Sequence, residues 1–346
     1  MNVNTDDTIL QDIKNGKKKP WREKKLKSQV LASSLKRLGY DKRAEYVKDC
    51  GSVLKFRREL ESGVLRLMRA NFCRVSLCPM CQWRKSLKVS CQVSRVMDLA
   101  QIRDPDLVPL FLTLTLQNCV FDDLAKTLDI LFAGWHEFER GKRVTPLIKG
   151  SFRAVEITYD GAKLITAKRY QRAKKFYNHN GLKVGDENPS FDTFHPHIHA
   201  IILVEKSYFE NESKYKETRE WVALWKQAAR LSYDPVCDIR VCKAEEGNLR
   251  KAVLEVAKYT LKDSQFLKAS DKAFTDRLVG LLSEALFKRR LYAYGGIMRE
   301  LAKELKVDKP GEGDLVHIDD ETIRADVATQ IERYRWRFGV NNYVRF

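Results

Sequence analysis

Three of the six histidines in this 346-residue chain stand at every second position, in His195-Pro196-His197-Ile198-His199. The run continues through Ala200, Ile201, Ile202, Leu203 and Val204. It is apolar and rich in β-branched residues, so it reads as a buried strand. Alternate side chains of a strand share a face, so the pattern predicts that His195, His197 and His199 line up together. Imidazoles crowded on a buried face need a partner for their nitrogens, and a divalent metal ion is the simplest one.

A second chemical group sits upstream. Cys73, Cys78 and Cys81 fall in FCRVSLCPMCQWRKSLK (72–88), and Cys50 in KDCGSVLKF (48–56). Cys78-Pro-Met-Cys81 has the spacing of a tight thiolate knuckle, and Cys50 with Cys73 would complete a tetrahedral zinc site. Cys91, Cys119, Cys237 and Cys242 show no ligand spacing.

A third lies in residues 247–262, which read as a helix with Leu249, Val253, Val256 and Thr260 as its apolar stripe. Glu255 and Tyr259, four apart, are neighbours on the opposite face, which they share with Lys251, Lys258 and Lys262. Nearby cations stabilise a phenolate, so Tyr259 could act as a nucleophile, and a carboxylate one turn away could act as a base on water. Glu156 lies in the middle of an apolar strand over 151–159. A buried carboxylate is costly unless paired or metal-bound. With two imidazoles it would leave open positions for water and a phosphate oxygen, which suits Mg²⁺ or Mn²⁺.

These groups must be positioned by a mixed α+β framework. Residues 110–116 (LFLTLTL) read as a central strand, followed by a helix from Asp122 to Arg140. Residues 160–190 are a polar, basic connection, and the histidine strand then closes an antiparallel pair with 151–159. Helical patterns occupy 31–49, 215–231, 247–262 and 272–305. The expected organisation is a flexible basic arm over 1–30 and a helix with a Cys-rich DNA-contact region over 31–95. A catalytic domain over 96–270 and a helical C-terminal region over 271–346 complete it. Lys14 to Lys27 holds eight basic residues and one acid.

The formal net charge is +18. A clustered surplus of that size marks a polyanionic partner. Lys17, Lys18, Lys19, Arg22, Arg84, Lys85, Lys258 and Lys262 are the candidate phosphate contacts. No run approaches the length of a membrane span; Val108 to Leu116 is short and carries threonines. The first nineteen residues lack the apolar core of a signal peptide, so a cytoplasmic protein is expected. Eight cysteines in that compartment suggest thiols or metal ligands rather than disulfides.

The order FLTLT (111–115), E-x-T-Y (156–159), HPHIHAIIL (195–203) and EVAKYTLKD (255–263) resembles the rolling-circle plasmid replication initiators of the Rep_1 type, within the larger HUH endonuclease superfamily. KKPWREKK (18–25), the two cysteine segments, LYAYGGIMRE (291–300) and EGDLVHIDD (312–320) are also similar to that family, so the resemblance covers nearly the whole chain. It implies an HUH-type central antiparallel sheet flanked by helices. It further implies a site-specific nickase in which Tyr259 attacks a phosphodiester of the double-strand origin and becomes linked to the 5′ phosphate. Glu255 matches the acid that activates water at termination, and His197 and His199 match the paired metal-binding histidines. Glu156 stands where related nucleases place a carboxylate ligand, and His195 lies either in the ligand set or just behind it. Plasmid origin DNA, a host helicase and polymerase, and a second copy of the chain are the implied partners. The residues alone leave two other readings open: His-x-His-x-His also resembles the histidine-triad nucleotide hydrolases, and cysteines with basic charge suit a zinc-dependent DNA-binding regulator without catalysis.

Overall fold

A computed structural model describes residues 9–14, 16–242, 248–257, 261–318 and 327–346. The chain forms two compact units. One comprises Met1–Gln92, Phe266–Ser283 and Lys309–Phe346, and the other Val93–Gln265 and Glu284–Asp308. The C-terminal region expected from residue 271 is therefore not a separate domain.

The first unit is built on a four-stranded antiparallel sheet in the order Asn342–Arg345, Thr329–Arg337, Val53–Glu59, Leu65–Ala70. The C-terminal region thus carries strands as well as the expected helices. The reason is visible in Thr329–Arg337, where Glu332, Tyr334 and Trp336 are buried and their neighbours exposed, the period-two pattern of a strand with one face covered. Buried Glu332 is satisfied by Arg58 at 2.7 Å and by the Tyr334 hydroxyl at 2.8 Å.

Residues 1–8 and 15 of the expected arm lie outside the described residues, and the rest is not a loose arm. From Ile9 onward its described residues are ordered, and a helix spans Trp21–Arg37. Trp21 is 2% exposed, packs edge-on against Phe56 and Trp83, and donates its indole N–H to buried Asp12 at 2.8 Å. The inward stripe runs Trp21, Lys25, Ser28, Leu31 and Leu35. A lysine and a serine inside that stripe hide the helical periodicity from a hydrophobicity reading. The helix expected over 31–49 is likewise two helices, Trp21–Arg37 and Asp41–Asp49. Gly39 at φ +79° ends the first in a Schellman turn, with Tyr40 N donating to Leu35 O and Gly39 N to Lys36 O.

The second unit centres on a five-stranded antiparallel sheet in the order Cys237–Val241, Leu107–Thr115, Thr193–Glu205, Gly150–Asp160, Tyr292–Gly295. The histidine strand, Thr193–Glu205, is the middle one. Its residues Ala200 to Val204 are fully buried, as their apolar run requires. Helices Leu124–Arg140 and Asn248–Val256 pack against it, and Gly296–Glu304 packs against Gly150–Asp160. Trp225, on helix Thr218–Ala228, anchors that helix to the sheet by donating to Thr115 O at 2.8 Å. The helical pattern expected over 272–305 is interrupted by the strand Tyr292–Gly295, because Tyr292 and Tyr294 alternate into the core against Phe152. Among the described residues, no helix is long and apolar enough to cross a membrane.

Candidate active site

Cross-strand register assembles the first group. His197 lies directly opposite Glu156 on one side and Thr115 on the other; His199 lies opposite Thr113 and Ala154. Directly opposed residues of antiparallel strands share a face, so the carboxylate and the two imidazoles meet. Glu156 Oε2 is 3.1 Å from His199 Nε2 and 3.6 Å from His197 Nε2, and the two Nε2 atoms are 3.2 Å apart. All three side chains are at least mostly shielded from water, at 9–12% exposure.

The outer hydrogen bond of His197 decides which of its ring nitrogens is free, and that of His199 is compatible with the same choice. His197 Nδ1 lies 3.1 Å from the carbonyl oxygen of His195, which can only accept, so Nδ1 carries the proton and Nε2 presents a lone pair. His199 Nδ1 is 3.1 Å from Thr113 Oγ1, which can accept in the same way. Two imidazole lone pairs and a carboxylate then point at one place. Burial raises the Glu156 pKa, but the adjoining His197 and His199 imidazoles outweigh it and hold the carboxyl well below the usual range, so it is ionised. An acceptor-only cluster of this kind suits a cation. Ligand atoms about 2.1 Å from a common ion, at angles between octahedral and tetrahedral, lie roughly 3.0–3.4 Å apart, close to the separations here. Glu156, His197 and His199 therefore form a group able to hold a metal ion.

His195 is on the same face, its ring centroid 5.2 Å from that of His197, but it is not in the converging set. Burial, then the neighbouring His197, lower its pKa to about 4. It supports the site through its backbone carbonyl. Thr113 has the matching role for His199 and was not singled out from sequence; the signal was its alternation with Thr115 in the strand beside the histidines.

The helix expected over 247–262 is described as Asn248–Val256. It packs on the histidine strand, with Val253 and Val256 buried as expected and Glu255 half-buried. Leu261 and exposed Lys262 lie outside it, and a new short helix, Asp263–Phe266, begins after them. Tyr259 and Lys258 lie outside the described residues.

In the first unit the four sulfurs of Cys50, Cys73, Cys78 and Cys81 converge within 4.8 Å of one another. Cys50 Sγ is 3.5 Å and Cys73 Sγ 3.7 Å from Cys81 Sγ. Tetrahedral ligation at about 2.3 Å places sulfurs roughly 3.75 Å apart. The Cys73 amide donates to Cys50 Sγ at 3.4 Å and the Arg74 amide to Cys81 Sγ at 3.2 Å. Shared hydrogen bonds with the Cys73, Cys78 and Cys81 sulfurs, and then burial, push the Cys50 thiol far above its ordinary range. Four thiols packed this closely cannot all ionise without a cation. The cluster can hold a metal ion, and the helix Pro79–Arg103 starts from it with proline in the first turn, where no N–H is needed. Cys91, Cys119, Cys237 and Cys242 join neither group.

The candidate phosphate contacts fare unequally. Lys17 and Lys18 are exposed in a two-residue strand; Lys19 pairs with Asp12 at 3.1 Å; Arg22 donates to Asn341 O at 2.9 Å. Arg84 is turned into the fold. It is 6% exposed, lies against the Trp21, Phe72 and Trp83 rings, and donates to the carbonyls of Leu315 and Val316. A guanidinium so enclosed serves the fold. Lys85 is half-buried with its stem along Gly311, and burial lowers its pKa.

A central antiparallel sheet carrying one group able to hold a cation, and a four-sulfur group in the other unit, define a mixed α/β protein with two candidate metal sites. More narrowly, it belongs to the Rep_1 family, described as "Replication protein", whose model matches residues 64–344. It is similar to "Protein rep" of Bacillus amyloliquefaciens, 35% identical over 98% of each chain. "Protein rep" of Streptococcus pneumoniae is 34% identical over 98% of this chain and 96% of its own. "Protein rep" of Lactiplantibacillus plantarum is 32% identical over 97% and 98%. No solved structure matches the chain.

Proposed function

We propose that this protein initiates rolling-circle replication of a plasmid by cutting one strand of the double-strand origin. The observation that carries the reading is the acceptor-only cluster of Glu156, His197 and His199, with the Glu255 helix packed on the strand that bears the two histidines. A Mg²⁺ or Mn²⁺ ion held there would polarise the scissile phosphate and offset charge in the transition state. The Tyr259 oxygen bonds to phosphorus as the P–O3′ bond breaks. The phenolic proton passes to solvent, the departing 3′ oxygen takes one up, and the 5′ phosphate stays on the tyrosine. The free 3′ hydroxyl primes a host polymerase working with a host helicase. At termination Glu255 removes a proton from a water whose oxygen attacks the second scissile phosphate. The new 3′ hydroxyl then attacks the tyrosyl phosphate, restoring a diester and freeing the phenol. The four thiolates hold zinc and stabilise the first unit.

The test is to incubate the protein with a single-stranded origin oligonucleotide and Mn²⁺ and to map the peptide joined to DNA. The expected product is a 5′ adduct on Tyr259, absent in Tyr259→Phe and absent after chelation. An adduct on another residue, or cleavage indifferent to chelation, refutes the mechanism.

A further inference from the structure

The four-stranded sheet of the first unit covers its aromatic face and leaves the other open. Opposed residues identify what that open face carries. Arg333 is registered with Lys55, and Lys55 with Arg69; Ile331 is registered with Arg57, and Arg57 with Arg66; Arg335 is registered with Val53. Each set shares a face, and Arg333, Arg335 and Arg337 follow one another at every second position on it. Among the described residues the face therefore holds Lys55, Arg57, Arg66, Arg69, Arg333, Arg335 and Arg337 against one carboxylate, Glu59, which pairs with Arg66 at 2.8 Å. Among the described residues no carboxylate pairs with the other six. Arg335 lies over the exposed Phe346 ring.

Like charges opposite one another destabilise a sheet. A face of this composition runs against fold stability and calls for a polyanion. Its dimensions bear on which one. Strands lie about 4.8 Å apart, so the row Arg69–Lys55–Arg333 spans roughly 10 Å across, and Arg333 to Arg337 spans roughly 13 Å along the strand. A single backbone needs only a stripe, whereas two phosphate backbones flank a groove of about 6 or 12 Å. We propose that the open face of this sheet is a docking surface for double-stranded DNA, gripping the phosphates on both sides of a groove. It deepens the reading that the protein acts on an origin, and it assigns the duplex to residues of the first unit, whereas the histidine group belongs to the second.

The experiment compares three variants with the unsubstituted chain, each checked for a Tm no lower than that of the unsubstituted chain. One is Lys55→Ala/Arg69→Ala/Arg333→Ala. A second, Lys36→Ala/Lys42→Ala/Lys272→Ala, removes equal charge from exposed helical positions of the same unit. The third, Lys55→Arg/Arg69→Lys/Arg333→Lys, keeps the charge. Affinity for a short fluorescent duplex is measured from low to high salt, with the separated strand as a competitor. Each phosphate contact contributes about 0.9 to the salt slope. The sheet-alanine triple should therefore flatten the slope by about 2.7 and lose about a hundredfold in affinity at 0.15 M salt. The helical triple should lose only a few-fold, and the charge-keeping triple should bind as the unsubstituted chain does. Equal losses in both alanine triples, no loss in the sheet triple, or stronger competition by the single strand than by the duplex overturns the proposal. Cleavage of the single-stranded origin oligonucleotide by the unsubstituted chain is read separately. Its absence refutes the nicking mechanism and leaves the duplex result standing.

Discussion

Lys25→Met tests the physical account of the cysteine site most directly. Lys25 is fully buried, and its ammonium donates to Lys48 O at 2.7 Å and Cys50 O at 2.8 Å. Burial lowers its pKa, while the thiols of Cys50, Cys78 and Cys73 and the carboxylate of Asp49 act the other way. Methionine keeps the length of the stem but leaves two carbonyls without their donor, each costing about 1–3 kcal/mol. A loss of about 2–6 kcal/mol is expected, a large part of a typical stability of about 5–15 kcal/mol. The charge adds a second effect. Four thiolates around a dication leave two negative charges, of which the ammonium offsets one. Supporting groups of this kind change metal affinity by about 10–100-fold. Urea unfolding with and without a chelator, and a competition titration of the bound zinc, separate the two. Lys25→Met should be less stable in both conditions, and more so with metal present. Unchanged stability and zinc affinity within about threefold of the parent would refute the argument.

The remaining expectations follow from the same geometry. His197→Ala/His199→Ala should abolish metal-dependent cleavage while leaving duplex affinity and Tm nearly as they were; parallel loss of duplex binding would make the strand's role structural. Glu255→Gln should retain formation of the tyrosyl adduct but accumulate protein-linked or multimeric DNA, whereas a fall of roughly a hundredfold or more in the first cleavage would make Glu255 the base for the tyrosine. Glu332 has its pKa raised by burial and lowered further by Arg58 and Tyr334, with a net depression below the ordinary 4.5. Its stabilisation is complete above about pH 4.5 and is lost as pH falls through the folded value. Glu332→Gln should therefore lose stability at pH 7 and show a shallower acid decline, which denaturation from pH 7 to 3 would check. Chelation should release about one zinc per chain and expose Cys50, Cys73, Cys78 and Cys81 to a thiol reagent; a metal-free preparation whose cysteines react at once would remove zinc from the account.

The parts legible in the sequence were those in which chemistry and periodicity agree. The histidine strand declared itself because its ligands repeat at period two inside an apolar run, and Glu156 because a carboxylate is out of place in one. That Glu156 faces His197 depends on register between strands more than thirty residues apart in sequence, which composition does not carry. The same limit applies to Thr113 and to Cys50 as the fourth sulfur. The N-terminal helix was hidden for a different reason. Its inward stripe includes Lys25, whose charge is satisfied only by carbonyls and sulfurs brought from elsewhere in the first unit. Arg84 misled in the converse sense, since a basic residue beside a cysteine knuckle looks like a phosphate contact until its aromatic and carbonyl partners are in place. In Thr329–Arg337 the alternation was present, but a buried glutamate stands among the inward aromatics and arginines fill the outward positions, so the segment reads as polar until Glu332 meets Arg58. In each case the obscured signal is a charge inside a stripe, stabilised by a distant partner. Such charges are costly to bury alone, and the account of Lys25 as partner to the sulfur site turns that cost into a measurable coupling between the helix Trp21–Arg37 and any metal ion the four sulfurs take up.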